Sequence, residues 1–240
     1  MRAQDDPSAP IDVTVIVPAL NEEDTIGEVV ERLLGLPLRT QIVVVDDGST
    51  DGTSEVLERF RDRIVVLRNP RPAGKGSAIR SALPHAAGRA VIIQDADLEY
   101  APEEIPKLVD PILQGQAEVV YGTRFHRGLP PGMALPNKIV NLLLAWAVRL
   151  LFWRRITDEA TCYKAFRRDL LLSMNLSCRR FEFCPEVTAK ALVLGHRILE
   201  IPIRYEPRSK EHGKKIRWTD APAAFWTLLR FRFDRSWRKR

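Results

Sequence analysis

Between Ile11 and Tyr121 the chain alternates short β-rich runs with amphipathic stretches of helical length, and no other feature restricts its fold so strongly. The strand-like runs are Asp12 to Val17, Gln41 to Val45, Arg63 to Leu67, Ala90 to Gln94 and Ala117 to Tyr121. Between them, Glu22 to Leu34, Thr53 to Phe60, Ser77 to His85 and Pro102 to Leu113 place apolar residues at helical spacing. This alternation predicts an α/β fold: a mostly parallel sheet with helices on both faces. At 240 residues, 45% of them hydrophobic, the chain is long enough for one domain with a full core. The second half is less regular: the apolar stretch Ile139 to Trp153, mixed helical segments, a strand-like Arg197 to Ile203 and a charged loop from Arg208 to Lys215. No internal repeat or low-complexity linker separates the halves, so they read as one unit.

Open sheets of this kind bind ligands beyond the carboxyl ends of their strands, which makes the residues after each strand the ones to inspect. The run ending at Ile93 leads into Asp95-Ala96-Asp97 and then Glu99. Closely spaced carboxylates at a strand end offer hard oxygen ligands to a divalent cation, Mg²⁺ or Mn²⁺, that bridges to substrate phosphates. Alone, such a triplet also suits a solvated turn. The first strand ends in Val17-Pro18-Ala19-Leu20-Asn21-Glu22-Glu23, where Pro18 stops the ladder and the glutamates open a helix. Glu22 either caps that helix or faces a nucleotide. The second strand ends in Asp46-Asp47-Gly48-Ser49-Thr50, a turn preceded by carboxylates able to accept hydrogen bonds from a ribose or base. Gly74-Lys75-Gly76-Ser77 lacks Walker A spacing, yet its backbone and Lys75 can approach a diphosphate near a helix N-terminus. A plain solvent loop accounts for it equally well.

Three cysteines, Cys162, Cys178 and Cys184, lack the paired spacing of a zinc site and read as reduced packing thiols. The polar segment Met1 to Pro10 has no signal-peptide character, and the expected location is the cytosol. Ile139 to Trp153, about fifteen residues interrupted by Asn141 and Arg149, is short for a bilayer span and reads as an interfacial or buried helix. The basic, aromatic tail, 219–240, carries five of the chain's six net positive charges in its last eleven residues. Interleaved with those arginines are Phe225, Trp226, Phe231, Phe233 and Trp237, which suit the headgroup region of an anionic membrane or pack onto the domain. No nucleic-acid module accompanies it, so nucleic acid is not expected as a partner.

Taken together, the segments 17–23, 45–53, 74–80, 94–100, 122–125 and 201–215 resemble family 2 glycosyltransferases of the GT-A fold, within them the dolichyl- or polyprenyl-phosphate mannose synthase group. The resemblance spans about residues 12–218. Residues 11–218 then form the GT-A domain, after a flexible N-terminus over 1–10. It implies nucleotide-sugar contacts from Pro18, Leu20, Glu22, Val45, Asp47, Asp95 and Ala96, metal ligation at Asp97 and Glu99 beside Asp95, and phosphate contacts from Arg124, Arg208 and Lys214. Asp97 and Arg124 are the implied catalytic residues, with Asp158 as the candidate base or else a helix N-cap after Thr157. Two segments depart from the group: relatives commonly have Gln where Glu99 stands, and Thr157 to Lys164 lacks the usual Gly and Arg.

The expected activity is metal-dependent, inverting transfer of a hexose, mannose or glucose, from a nucleoside diphosphate sugar such as GDP-mannose or UDP-glucose to polyprenyl or dolichyl phosphate. With no C-terminal transmembrane helices expected, the protein would work peripherally on the cytosolic face of a membrane or be recruited there by a separate membrane protein. A lipid monophosphate is already anionic and needs positioning more than deprotonation. The cluster Arg208, Lys210, Lys214 and Lys215 suits that acceptor. A glycan or other hydroxyl acceptor, which needs a base, and a non-catalytic nucleotide-sugar-binding membrane adaptor are the alternatives.

Overall fold

A computed structural model describes residues 10–126, 128, 132–207 and 221–239. The calls on Arg208, Lys210, Lys214 and Lys215, and on the N-terminus before residue 10, lie outside the described residues. Seven strands, β1 (Val13–Ala19), β2 (Thr40–Asp46), β3 (Val65–Arg68), β4 (Ala90–Ile93), β5 (Val119–Thr123), β6 (Lys164–Arg167) and β7 (Ile198–Pro202), make one sheet in the order β3-β2-β1-β4-β6-β5-β7. Every pairing is parallel except those of β6, which runs antiparallel between β4 and β5. The helices are α1 (Ile26–Leu34), α2 (Thr53–Glu58), α3 (Lys75–Ala82), α4 (Ile105–Leu113), α5 (Leu135–Phe152), α6 (Arg168–Ser173), α7 (Phe183–Val193) and α8 (Ala221–Phe233). The expected mostly parallel α/β sheet is therefore present.

The central strands are continuous β-branched runs because both their faces are covered: Val15 to Val17, Ile42 to Val45 and Ala90 to Ile93 are all buried. In α1 the buried residues Ile26, Val29, Val30 and Leu33 repeat at helical spacing and face the core. Helix α3 begins at Lys75, two residues before its expected start, because the 179–180 backbone accepts the amides of Gly76 and Ser77 at 2.9 Å each. That approach requires Gly74 at φ +97, where an added Cβ would sit 2.5 Å from the Arg179 carbonyl.

Strand β6 is absent from the sequence reading. Its four residues, Lys-Ala-Phe-Arg, show no apolar run, and the slot between β4 and β5 makes them a strand. Lys164 is fully buried there. Its ammonium donates to the Glu159 carbonyl at 2.7 Å and lies 3.5 Å from the Tyr121 ring centroid. Asp158 caps no helix, because the chain from Ile156 to Tyr163 is turn and coil.

A second apolar cluster ties α5, α7 and α8 together through Leu144, Val148, Ala189, Leu228, Phe231 and Trp237. Inside it, the fully buried Lys190 pairs with Glu186 at 2.5 Å, donates to the Asn175 carbonyl at 2.9 Å and packs over the rings of Phe231 and Trp237. Glu186 also accepts from the amides of Ser177 and Cys178 at 2.8 and 2.7 Å. Burial pulls the Lys190 pKa below its ordinary value against the pull of Glu186. Removing one partner of such a pair strands the other charge. Glu186→Ala should therefore lower unfolding stability by about 3 kcal/mol, measured by urea denaturation, with a loss under 1 kcal/mol contradicting this account.

Candidate active site

The carboxyl ends of β1, β2, β4 and β5 open onto a cleft of about 1220 Å³. Pro18 and Ala19 end β1, where Pro18 stays in register opposite Val45 and does not stop the ladder as expected; Leu20 and Glu22 follow β1, Asp47 follows β2, Asp95 to Asp97 follow β4 and Arg124 follows β5, and all line the cleft. Gly74 and Lys75 join them from the start of α3. Val45 does not. It is fully buried within β2, where a strand-interior side chain points into the core rather than toward the cleft.

The two carboxylates after β2 hold the local backbone in place. Asp46 accepts from the Ser49 amide at 2.8 Å and the Ser54 hydroxyl at 2.5 Å. Asp47 accepts from Asn69 at 2.6 Å and from the amides of Ala73 and Gly74 at 3.0 and 2.7 Å, so it shapes the loop leading to Lys75. Gly48, at φ +78, is the residue that lets this turn pass the 71–72 backbone: a Cβ there would lie 2.7 Å from Arg71. Glu22 lines the cleft, and its side chain does not cap α1, whose N-cap position is Thr25. Its carbonyl accepts from the amides of Thr25 and Ile26 at the start of α1, and its carboxylate accepts from the Thr25 hydroxyl at 3.3 Å.

Lys75 reaches across the cleft to Asp95, forming an ion pair, with the Cys162 thiol 3.2 Å from the same ammonium. Burial opposes the charge on Lys75, and Asp95 offsets that and raises its pKa well above the usual lysine range. Asp95 is thereby engaged with a cation of the chain itself. Among the described residues, no group of three His, Cys, Asp or Glu side chains converges on a point able to hold a metal ion. The three-carboxylate ligand set expected from Asp95, Asp97 and Glu99 is not assembled, because Asp95 turns to Lys75. Asp97 and Glu99 remain together in one tight turn, in which Leu98 adopts φ +58 and the Glu99 amide donates to Asp97 at 3.1 Å. Burial, then the charges of Asp95 and Glu99, push the Asp97 carboxyl up to about 7. Like charges crowded into a buried turn form a hard-oxygen site whose strain a divalent cation relieves, so these residues fit one.

Arg124 is buried and clamped by Asp158, whose side chain is 0% exposed. Its Nε and Nη2 donate to the two carboxylate oxygens at 2.7 Å each, and its own amide donates at 2.9 Å. With both oxygens taken by a guanidinium, Asp158 positions Arg124 and is not poised as a proton acceptor. The Arg124 guanidinium stacks 5.0 Å from the Tyr205 ring, which in turn packs on Tyr100 at 5.4 Å. The Tyr205 hydroxyl donates to Glu99 at 3.0 Å, and the Glu206 amide donates to the Glu99 carbonyl at 3.0 Å. The acidic turn and the chain leaving β7 are thus one bonded unit. Tyr205 lies in the matching segment 201–215, where the sequence singles out Arg208 and Lys214 and not this tyrosine.

Helices α5, α7 and α8 add apolar side chains to the lining, Met133, Val140 and Leu144 from the α5 region, Phe183 and Pro185 from α7 and Ala224 from α8, alongside the polar Asn137, Arg180 and Glu182. Glu159 also lines the cleft, 1% exposed, accepting from Thr188 at 3.1 Å while its second oxygen has no partner among the described residues. Burial, only partly offset by the Lys164 charge, pushes this carboxyl up to about 7. Its segment, Thr157 to Lys164, is one of the two that depart from the resembling group, and that departure is the signal that marked it.

The profile described as Glycosyl transferase family 2 matches residues 14–172. Among curated proteins, the chain is 31% identical over 210 residues to an undecaprenyl-phosphate 4-deoxy-4-formamido-L-arabinose transferase of Edwardsiella ictaluri, covering 84% of this chain and 62% of that one. It is 30% identical to glycosyltransferase AglJ of Haloferax volcanii, covering 82% and 63%. A polyprenol monophosphomannose synthase of Mycolicibacterium smegmatis is 31% identical, over 92% of this chain and 89% of that one. The chain thus spans somewhat under two thirds of the length of the first two relatives and most of the third. Among solved structures, Mycobacterium tuberculosis glucosyl-3-phosphoglycerate synthase in complex with UDP superposes with a TM-score of 0.70 at 22% identity, over 95% of this chain and 80% of that one. The same enzyme crystallised with Mn²⁺, UDP and phosphoglyceric acid gives 0.67 at 21% identity, over 92% and 77%. At that identity the likeness speaks for the GT-A fold.

The raised Glu159 carboxyl has a definite consequence for stability. The folded state keeps its proton up to about 7, whereas the unfolded chain releases it near the ordinary glutamate value, so stability falls as pH rises between those two points and levels off above the higher one. Glu159→Gln removes that loss. Thermal unfolding should show the variant matching wild type at pH 5 and exceeding it at pH 8, by an amount on the order of 3 kcal/mol; an equal difference at both pH values would contradict the shift.

Proposed function

The chain belongs to glycosyl transferase family 2, and on that footing we propose that it moves a hexose from a nucleoside diphosphate sugar to a polyprenyl phosphate in a divalent-cation-dependent, inverting reaction. The observation that carries the reading is the mixed lining of the cleft. It gathers Asp97, Glu99 and Arg124 from strand ends and Lys75 from the start of α3, together with the apolar Met133, Val140, Leu144 and Pro185. A nucleoside diphosphate suits the charged groups, and a phosphate carried on a hydrocarbon chain suits both. Names of relatives that act on undecaprenyl phosphate or polyprenol agree with this acceptor.

On this reading Pro18, Leu20 and Glu22 lie along the nucleotide, with Ala96 presenting backbone to it. Asp97 and Glu99 would hold a Mg²⁺ or Mn²⁺ ion, which when bound offsets the charge that builds on the departing diphosphate. Lys75 stands beside that position as a point charge, and Arg124 offers a planar fork oriented by Asp158. Arg208 and Lys214, which follow the strand β7 and its bonded continuation through Tyr205, are proposed to meet phosphate as well. The acceptor phosphate arrives already ionised, so attack on the anomeric carbon from the face opposite the diphosphate needs alignment and exclusion of water rather than a base. The engagement of Asp158 with Arg124 accords with such an acceptor.

Purified protein incubated with labelled GDP-mannose or UDP-glucose, undecaprenyl phosphate and Mg²⁺ or Mn²⁺ should yield chloroform-extractable label with one donor. Asp97→Asn should cut that rate by about a hundredfold or more while leaving the melting temperature of the ligand-free protein within a few degrees. Label appearing only on a water-soluble acceptor would overturn the lipid-phosphate reading, and full activity in Asp97→Asn would overturn the role of the acidic turn.

A further inference from the structure

Most of the large apolar side chains exposed on this protein sit on two adjacent helices. On α5 and just beyond it these are Leu135, Ile139, Leu142, Leu143, Trp146, Leu150 and Trp153, and on α8 they are Trp226, Leu229 and Phe233. Trp146 is 66% exposed, Trp153 84% and Phe233 71%. A monomer in water rarely displays so much contiguous apolar surface without using it. The two helices pack on one another.

The charges nearby are predominantly positive. Neither α5 nor α8 contains an acidic residue, while Lys138, Arg149, Arg154, Arg155, Arg230 and Arg232 lie on or directly after them; Asp234, just past α8, pairs with Arg230 at 3.7 Å. A second copy of the chain docking on this face would bring those cations against their own kind. An anionic bilayer surface offers the complement to both features, apolar side chains entering the acyl boundary and guanidinium groups meeting headgroup phosphates.

Helix α5 is long and apolar enough to cross a membrane by length and composition. The fold holds it elsewhere. Asn141, buried in its middle, donates to the Thr157 carbonyl at 3.2 Å and accepts from the Ala160 amide at 2.9 Å, and Leu144 and Val148 are buried in the cluster with α7 and α8. A helix pinned to the domain along one stripe and exposed along the other lies in an interface plane instead of spanning it.

We propose that α5 and α8 together form a docking face for an anionic membrane surface, with Trp146, Leu150, Trp153, Trp226 and Phe233 inserted at headgroup depth. The same two helices line the cleft with Val140, Leu144 and Ala224, so docking sets the cleft about one helix diameter, roughly 10 Å, from the lipid. The surface deepens the acceptor reading above, yet its test needs neither donor nor prenyl phosphate, which keeps the two separable.

The test uses the full chain and vesicles of phosphatidylcholine with about 30% phosphatidylglycerol, read by co-sedimentation and by tryptophan emission with brominated lipids. Binding is expected, with a blue shift, bromine quenching and weakening in high salt. The double substitution Trp146→Glu with Leu150→Glu, both outside the cleft lining, should weaken partition about tenfold or more at an unchanged melting temperature. No vesicle binding would overturn the proposal, as would equal binding by the double variant. So would a concentration-dependent dimer that the double variant abolishes, since that would assign the face to a second copy. Vesicle binding by a protein that makes no lipid-linked sugar would leave this surface standing and sink the acceptor reading.

Discussion

The antiparallel insertion of β6 between β4 and β5 is the constraint on which the cleft depends. A strand entering that slot from the carboxyl side must be preceded by chain crossing the top of the sheet, and residues 156–163 are that crossing. They carry Asp158 to Arg124 at the end of β5, Glu159 into the cleft lining, and Cys162 to Lys75. A fully parallel sheet would have sent this segment to the opposite edge, and Arg124 would lack Asp158. The cost of the insertion is a buried Lys164, offset by the Glu159 carbonyl and the Tyr121 ring.

Buried charges in the cleft come as pairs, Lys75 with Asp95 and Arg124 with Asp158. Such pairs seldom add net stability, because desolvation consumes most of the Coulomb gain. Their physical effect is orientation. Each cation is fixed in a known place before any ligand arrives, and a diphosphate entering the cleft meets positioned donors instead of mobile side chains. Asp97 differs, held beside Asp95 and Glu99 with its carboxyl pushed up to about 7. The acidic turn is thus where carboxylate charges crowd one another, while Lys75 and Arg124 each face a carboxylate of the chain itself.

The legible part of the fold follows from pattern strength. Continuous β-branched runs at Val15 to Val17, Ile42 to Val45 and Ala90 to Ile93 have no competing helical reading, and the helices between them show clean apolar stripes. Strand β6 was illegible because two of its four residues are cationic and its burial is decided by neighbours distant in sequence. The strand-end motifs located most of the polar lining correctly in space, since ends of parallel strands must share one edge. They could not reveal how each carboxylate spends its oxygens. Asp47 reads like a ligand in sequence and holds the 69–74 loop in the structure, Asp95 turns to Lys75, and Val45 follows its strand into the core. Tyr205 escaped notice because its meaning depends on Glu99, more than a hundred residues away along the chain.

The tail shows the same difference between composition and placement. Its aromatic and basic residues suggested a helix with one apolar and one charged side, yet α8 buries Leu228 and Phe231 while exposing Trp226, Leu229 and Phe233 beside Arg230. Two apolar faces on one short helix need two partners. Helices α5 and α7 supply the first, locked by the Lys190–Glu186 pair against Phe231 and Trp237. With that face committed, the outward residues cannot rotate inward without losing the packing of Phe231 and Trp237 on Lys190. The exposed apolar stripe is therefore a fixed property of the folded chain, and whatever covers it must come from outside the domain and tolerate arginine at its edge.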